Sequence, residues 1–566
     1  MIKEKFIPHI VLVGLLILSF VLFGRVIPGE FIYDDLLFNN RLELRKLEHL
    51  PNIWLESFTP YNDTVGTYRP LTVTTFSLNY ILFGNSSAGF HIVNILIHGG
   101  VAFLVFMISR RLFKSITLAV ISSILFMFLP IHMDAINLIK SRDDLLSAFF
   151  ALLSWLVFLK STSEKKVNYK GIALSAFIFY LGLLSREMVL FAPLIFLITF
   201  YLTKKPAVEE LAKIGLIFFV FSLPYLFLRM TALGPVAFTG DDPYFIFDPL
   251  RNAEFMTKFW TGFKLLTLYI QKTVLPFNLS STYTYNQIPV VSNPIQSWEV
   301  ILGIFILGAM IVLTVHRKTR ATPIGIGLIT FLISYIIFSK FFVQLSEIMA
   351  ERYMYFPSVG LCMVGAFLIY KLIEKNKYAG WGIFAVILVI FFSVILSRND
   401  QWLDKRQFYE GMISDAPNAI LGHQGMAGYY FSRGELDKAR EFSDKGMAIY
   451  PDYPPLLKIV TLIAFTQGDI DTADKAITKA VELAPGVLDH RILNALILSK
   501  KGKYKESLNE ISIIIRKNPM REYRPEIRQI IAINLYKLGM VEEAKKYFDW
   551  DKSKTEEEKI KIIEDF

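Results

Sequence analysis

The sequence predicts an all-α protein in two parts. Residues 1–397 read as a polytopic membrane helical bundle of about eleven spans, and residues 418–550 as an α-solenoid of helical repeats. Three observations carry this reading. Long apolar runs recur through the first part, basic residues gather on alternate loops between them, and small residues and prolines return every 34 residues in the second part.

Composition sets the frame. Of 566 residues, 53% are hydrophobic and 19% charged, against roughly 45–50% and about 25% in an ordinary soluble domain. That argues against a soluble enzyme and excludes a disordered chain. The single cysteine, Cys362, excludes a disulfide framework and any cysteine-rich metal site. Residues 398–566 carry 27 Lys+Arg and 27 Asp+Glu, so the whole formal charge of +10 lies in the apolar part. No basic stripe or reader motif accompanies it, which leaves nucleic acid out as a partner.

A spanning helix needs about 20 mostly apolar residues. The first run, 7–27, is too long in its apolar core for a signal peptide, and no small-residue cleavage site follows, so it reads as an uncleaved helix. Further runs lie near 89–109, 115–130, 144–160, 168–185, 188–203, 211–230, 297–316, 322–342, 354–373 and 378–397. Basic clusters fall at Lys3 and Lys5, at Arg110, Arg111 and Lys114, across 160–170, at Lys204 and Lys205, and across 317–320 and 371–377. Loops rich in Lys and Arg stay in the cytoplasm. This puts the N-terminus inside, and loops 28–88, 131–143, 185–187, 231–296 and 343–353, with everything after 397, outside. The stretch 257–275 is apolar but holds Lys258, Lys264 and Lys272. As a crossing it would invert the later loops, so it reads as a helix lying on the outer surface.

In the second part, Gly434, Gly468 and Gly502 are 34 residues apart, as are Pro451, Pro485 and Pro519, and Ala439, Ala473 and Ser507. A small residue inside each helix and a proline after the second helix, at this period, is the tetratricopeptide signature. Gly539 and Ala544 mark a fourth unit three residues late, which implies an insertion near 520–526. Such repeats stack into a superhelix whose concave face binds protein or peptide, or serve only as a spacer. Residues 398–417 read as a linker, and 551–566 as a charged, solvated capping tail.

The expected outer loops hold the chemistry. Asp34 and Asp35 follow directly on the first span. Carboxylates at a membrane boundary are costly and therefore usually functional. One can serve as general base toward a hydroxyl, and a pair can hold a divalent cation. The second loop adds His132 and Asp134, then Arg142, Asp143 and Asp144. Arginine's fork of donors suits a phosphate, whereas acids at a helix start can instead complement its dipole. Arg69 and Arg352 each stand at the outer interface beside a span, within reach of a lipid phosphate or snorkelling to ordinary headgroups. Arg186 and Glu187 read as a charged turn that neutralises itself. No Walker loop, HExxH or dinucleotide fingerprint occurs. The scarcity of charge in mid-span argues against a transporter.

Taken in order, Tyr33-Asp34-Asp35, Tyr68-Arg69-Pro70-Leu71, His91-Ile92-Val93-Asn94 with His98, His132-Met133-Asp134-Ala135, Ser141-Arg142-Asp143-Asp144-Leu145-Leu146 and Ala350-Glu351-Arg352 to Pro357-Ser358 resemble one family. It is that of the transmembrane-and-tetratricopeptide (TMTC-like) proteins, relatives of the protein O-mannosyltransferases in the GT-C class. The likeness spans roughly 28 to 550.

The resemblance implies a GT-C-like bundle and an inverting glycosyltransferase. It would take a sugar, mannose in the family, from a polyprenyl or dolichyl phosphate and deliver it on the outer side to a hydroxyl, commonly protein Ser or Thr. It makes Asp34 the favoured base of the Asp34/Asp35 pair and matches Asp134 to the family's second-loop acid. Arg142 and Asp144 fall on a Gly-Arg-x-Asp/Glu-Leu-Leu pattern, with Ser141 in place of the glycine. Arg352 is aimed at the lipid phosphate, with Arg69 and Arg142 as further candidates. Ser185-Arg186-Glu187 sits where the family shows Lys-Glu. His132, Asp143 and Asp144 join Asp134 as acceptor-side or metal candidates. The family chemistry works without a metal, while Asp34, Asp35 and Asp134 supply oxygens of the kind that hold Mg or Mn. Two other readings stay in view: a non-enzymatic membrane-anchored scaffold, and a flippase for lipid-linked sugars. Four repeats and the modest length favour a prokaryotic plasma membrane.

Overall fold

The structure is a computed structural model that describes residues 4–58, 67–164, 166–234, 237, 245–342, 345–517, 522, 524–551 and 553–566. Among these residues only helices and turns occur, with no strand. The chain divides into two compact units after Pro417.

A helix forms at each of the eleven apolar runs. Local chemistry sets the boundaries. The side chains of Ser115, Asn168 and Asn376 accept from the backbone N–H three residues on and start Ile116–Phe128, Tyr169–Ser185 and Lys377–Asn399. Proline opens Pro70–Phe83 and Pro323–Tyr335, where its missing N–H costs nothing. Lys114 and Lys205, both in the left-handed region, close Ser87–Phe113 and Ala192–Lys204.

Length divides these helices. Among the described residues seven are long and apolar enough to cross a membrane, and a bent pair, Ile116–Phe128 with Pro130–Asn137 at 54°, makes eight. This is a multi-pass membrane protein. Seven or eight of the eleven expected spans pass this test of length and composition. Tyr169–Ser185 has 17 residues and Pro323–Tyr335 has 13, and Ser358–Lys375 ends on Lys371, Glu374 and Lys375. At about 1.5 Å per residue, 13 residues cover about 20 Å of a core about 30 Å thick.

Two other expectations change, while the lysine-bearing stretch is a helix as expected. The loop 28–88 contains a helix, Pro70–Phe83, whose Thr72, Ser77 and Asn79 are buried. The lysine-bearing stretch forms one helix, Phe255–Val274, packed along Trp298–Val315. Gly303 permits that approach, because a Cβ there would collide with the Phe263 carbonyl. Residues 398–417 are no linker: a turn at Asp400–Trp402 and a helix at Lys405–Asp415 bury Trp402, Phe408 and Met412 in the first unit.

The second unit is built of helix pairs: Ile420–Ser432 with Leu436–Ile449, Pro454–Thr466 with Ile470–Leu483, Leu488–Lys500 with Tyr504–Lys517, and Pro525–Lys537 with the short Val541–Lys545. Gly434, Gly468, Gly502 and Gly539 join the members of each pair at φ +75°, +80°, +75° and +81°. Nothing crowds them, so the need is for the left-handed backbone itself. Ala439, Ala473 and Ser507 are fully buried where paired helices meet. Pro519 and most of 518–523 lie outside the described residues. The tail forms a helix, Glu556–Asp565, started by a Thr555/Glu558 capping box and anchored by buried Ile563.

Candidate functional site

At one end of the bundle the first loop leaves the first span and makes a tight turn at Tyr33–Asp35. Asp35 is fully buried. One of its oxygens accepts from the Lys140 backbone N–H at 2.8 Å and the other from that of Ile32 at 3.3 Å. Loss of water outweighs these donors and pushes its carboxyl up to about 8. Asp34 faces the other way. A quarter of its side chain is exposed, and Lys140 Nζ lies 3.8 Å from it. Desolvation raises its pKa, against the pull of Lys140 and Arg352.

The second loop meets the Glu351–Met354 turn. Arg352 Nη1 donates to Asp134 at 3.0 Å, and its Nη2 donates to both oxygens of Glu347 at 2.6 Å. The other oxygen of Asp134 is buried and has no partner among the described residues. His132 shares a 2.8 Å hydrogen bond with Ser358 Oγ, and His98 shares one of 2.8 Å with Tyr355 OH. Phe126 and Tyr355 pack against His132. His132 therefore ties the second loop to the head of Ser358–Lys375 as a structural hydrogen-bonder.

Beside these, Asp143 receives Arg69 on one oxygen and Arg186, at 3.1 Å, on the other. Arg186 also bridges to Asp144, and Arg69 reaches Glu187 at 3.6 Å. Arg186 and Glu187 do more than offset each other. Each serves an opposite charge brought in by another helix. Asp143 and Asp144 do stand in the first turn of Arg142–Ser161, but their partners are arginines rather than the helix end alone.

Arg142 has a different place from the one expected. It is fully buried, with Nε on Asn94 Oδ1 at 2.8 Å, Nη1 on Asn79 Oδ1 and the Thr75 carbonyl, and Nη2 on the Phe90 carbonyl at 3.0 Å. The rings of Phe76 and Phe90 flank it. Its donors are engaged inside the protein, so it pins three helices together instead of reaching a lipid phosphate. Arg69 is likewise committed to Asp143, and Arg352 is held by Asp134 and Glu347, so all three guanidinium groups have partners inside the protein.

Among the described residues no three His, Cys, Asp or Glu side chains gather as a ligand set. Asp35 accepts from backbone amides, and one oxygen of Asp134 accepts from Arg352. An apolar groove of about 450 Å³ runs between Leu125, Leu129, Phe277, Leu361, Leu368 and Phe391.

No family model matches the chain. Curated relatives do. Protein O-mannosyl-transferase TMTC4 of Homo sapiens is 26% identical over 462 residues, covering 70% of this chain and 61% of that protein. Protein O-mannosyl-transferase F38B6.6 of Caenorhabditis elegans is 24% identical over 451 residues, covering 78% and 62%. This chain is homologous to the TMTC proteins. It spans about three fifths of the length of the curated relatives it matches. Among solved structures, ArnT from Cupriavidus metallidurans bound to undecaprenyl phosphate aligns with 91% of this chain and 81% of its own at 11% identity and a TM-score of 0.43. An Archaeoglobus fulgidus oligosaccharyltransferase aligns with 72% of this chain and 55% of its own at 14% identity and 0.39.

Within this TMTC-like chain, two residues escaped the sequence reading. Lys140 serves both acids, its backbone holding Asp35 and its amine facing Asp34. Glu347 grips Arg352. A signal existed for Lys140, a lysine inside an apolar stretch two residues before Arg142. Glu347 had none, because a lone acid in a loop is ordinarily solvated.

Proposed function

We propose that this chain is a membrane glycosyltransferase that moves a sugar from a polyprenyl- or dolichyl-phosphate donor to an acceptor hydroxyl with inversion. Mannose and protein Ser or Thr are the expected donor sugar and acceptor. One observation carries the reading: of two adjacent acids, only Asp34 combines partial exposure with a nearby cation and a raised pKa. Such a carboxylate accepts a proton well. Asp34 takes the acceptor's hydroxyl proton as its oxygen bonds to the anomeric carbon. The bond from that carbon to the phosphate oxygen breaks on the opposite face, and the phosphate leaves as an anion that needs no acid. Arg352 is the group we assign to that phosphate, in exchange for Glu347.

The apolar groove supports a donor with a long hydrocarbon tail. Basic clusters at the far ends of Ser87–Phe113, Arg142–Ser161 and Ser358–Lys375 support an outward-facing site, with a cytoplasmic N-terminus. The repeats are the natural holder of a protein acceptor. The relatives' name, protein O-mannosyl-transferase, points the same way.

The test is transfer of radiolabel from polyprenyl-phosphate-mannose to a Ser/Thr-rich acceptor pool in nanodiscs, with Asp34→Asn alongside. Label on the acceptor with the wild type alone is the expected result. Its absence with mannose, glucose and N-acetylhexosamine donors would overturn the reading in favour of a scaffold.

A further inference from the structure

Tyr33 stands in the left-handed region at φ +46°. Five other non-glycine residues do so among the described ones. Lys114 and Lys205 end helices, Asn278 and Asn286 are of a type that tolerates this region, and Lys340 is held by Asp248. Tyr33 is the one aromatic among them, and it directly precedes the acidic pair. The conformation is sterically costly for a residue with a Cβ and persists only where the surroundings impose it.

Those surroundings come from the segment read as a linker. Upstream, the Glu30 N–H donates to the Leu403 carbonyl at 2.8 Å, and a Cβ on Gly29 would sit 3.0 Å from the Trp402 carbonyl oxygen. Downstream, Asp35 is anchored by its two backbone donors. Between the anchors, the Tyr33 ring lies 5.7 Å from that of Phe408. Phe408 is itself buried and set 5.2 Å from Trp402. The chain is thus fixed on both sides of one left-handed residue, which turns consecutive side chains apart: Asp35 goes to the interior and Asp34 to the open side.

We propose that Phe408, on the helix Lys405–Asp415, is a positioning residue of the site: it holds Tyr33 left-handed and so aims Asp34 outward. This rests on the reading of Asp34 as base only where activity is the readout.

The test uses rescue by glycine, which adopts φ +46° without steric cost. Wild type, Phe408→Ala and the Tyr33→Gly/Phe408→Ala double variant are compared in full-length protein. Phe408→Ala is expected to lower kcat about tenfold or more with the donor KM little changed, and the double variant to recover most of the loss. A second readout needs no sugar. Coupling of glycine ethyl ester to carboxyls by a water-soluble carbodiimide, mapped by mass spectrometry, should favour Asp34 over Asp35 in the wild type. It should lose that preference in Phe408→Ala and regain it in the double variant. An unchanged labelling ratio in Phe408→Ala, or a double variant no better than the single one, would overturn the proposal and leave Phe408 as packing alone. Should Phe408→Ala not fold, Phe408→Leu, which keeps most of the volume, takes its place under the same criteria. Absence of transfer by the wild type would sink the transferase reading, while the labelling still decides the positioning.

Discussion

Asp34 and Asp35 are covalent neighbours with opposite surroundings: Asp35 is enclosed and accepts two backbone N–H bonds, while Asp34 keeps a quarter of its side chain open beside Lys140. Adjacent residues in a 3₁₀ turn diverge by about 120°, and the left-handed Tyr33 before them sets where that divergence points. The two acids should therefore fail differently. Asp34→Asn removes the proposed base and is expected to cut kcat by about 10²–10⁴ with the melting temperature unchanged. Asp35→Asn puts an amide among backbone donors and is expected to lower the melting temperature first. Transfer kinetics and thermal unfolding in detergent, run on both variants, separate the effects.

Asp35 also gives stability a pH dependence with a defined sign. Its carboxyl is raised from an ordinary 3.8 to about 8 in the folded protein. The folded state thus holds the proton more tightly. This contribution is full below about pH 3.8 and is lost as the pH rises through about 8, with a slope of at most about 1.4 kcal/mol per pH unit. The fall in melting temperature between pH 6 and pH 9 should be larger in the wild type than in Asp35→Asn. Equal falls would mean that Asp35 is ionised throughout.

Lys140 tunes the other acid. Its amine lowers the Asp34 pKa that desolvation raises. Lys140→Met removes that amine but keeps the backbone N–H that holds Asp35. The acid limb of the kcat profile should lie above the ordinary aspartate range in the wild type and move to still higher pH in Lys140→Met. A profile that stays in place would show that Asp34 is not the titrating base.

The sequence carried the outline well and the partnerships poorly. The 34-residue glycines were legible because only a left-handed link asks for glycine there, and their φ values bear this out. The acidic pair stands out in the sequence because two charges next to a span demand a reason, but their opposite surroundings are a fact of the fold. Pro70–Phe83 was not, since its buried Thr72, Ser77 and Asn79 dilute the apolar pattern. By residue type Arg142 suits a phosphate, but Asn79, Asn94 and two carbonyls surround it, a fact of tertiary structure alone. The helix at 405–415 looked like a linker because it is short and polar outside Phe408 and Met412.

Glu347 competes for the arginine proposed to meet the donor phosphate. It takes two hydrogen bonds from Arg352 Nη2, while Asp134 holds Nη1. An anionic phosphate approaching Arg352 meets this carboxylate as a competitor. Glu347→Gln removes the competing charge but leaves Asp134 to orient the guanidinium. The donor KM is expected to fall several-fold, and the protein to lose some thermal stability. Arg352→Lys should raise KM, because a lysine cannot keep Asp134 and present a fork at once. A higher KM in Glu347→Gln would instead mean that Glu347 aligns Arg352 and that the phosphate binds elsewhere.

The Asp143 carboxylate separates architecture from chemistry. It is fully buried, with Arg69 on one oxygen and Arg186 on the other, and so joins the residue before Pro70–Phe83 to the turn after Tyr169–Ser185. Removing one member of a buried ion network costs about 3–5 kcal/mol, because the remaining charges stay out of water without a counter-ion. In Asp143→Asn two guanidinium groups would share Asp144 and Glu187 alone. The expected result is a large fall in melting temperature, with the activity of the surviving folded fraction close to wild type per molecule. Active-site titration of the folded fraction makes that comparison. Loss of turnover in a fully folded Asp143→Asn protein would move Asp143 from the scaffold into the reacting machinery.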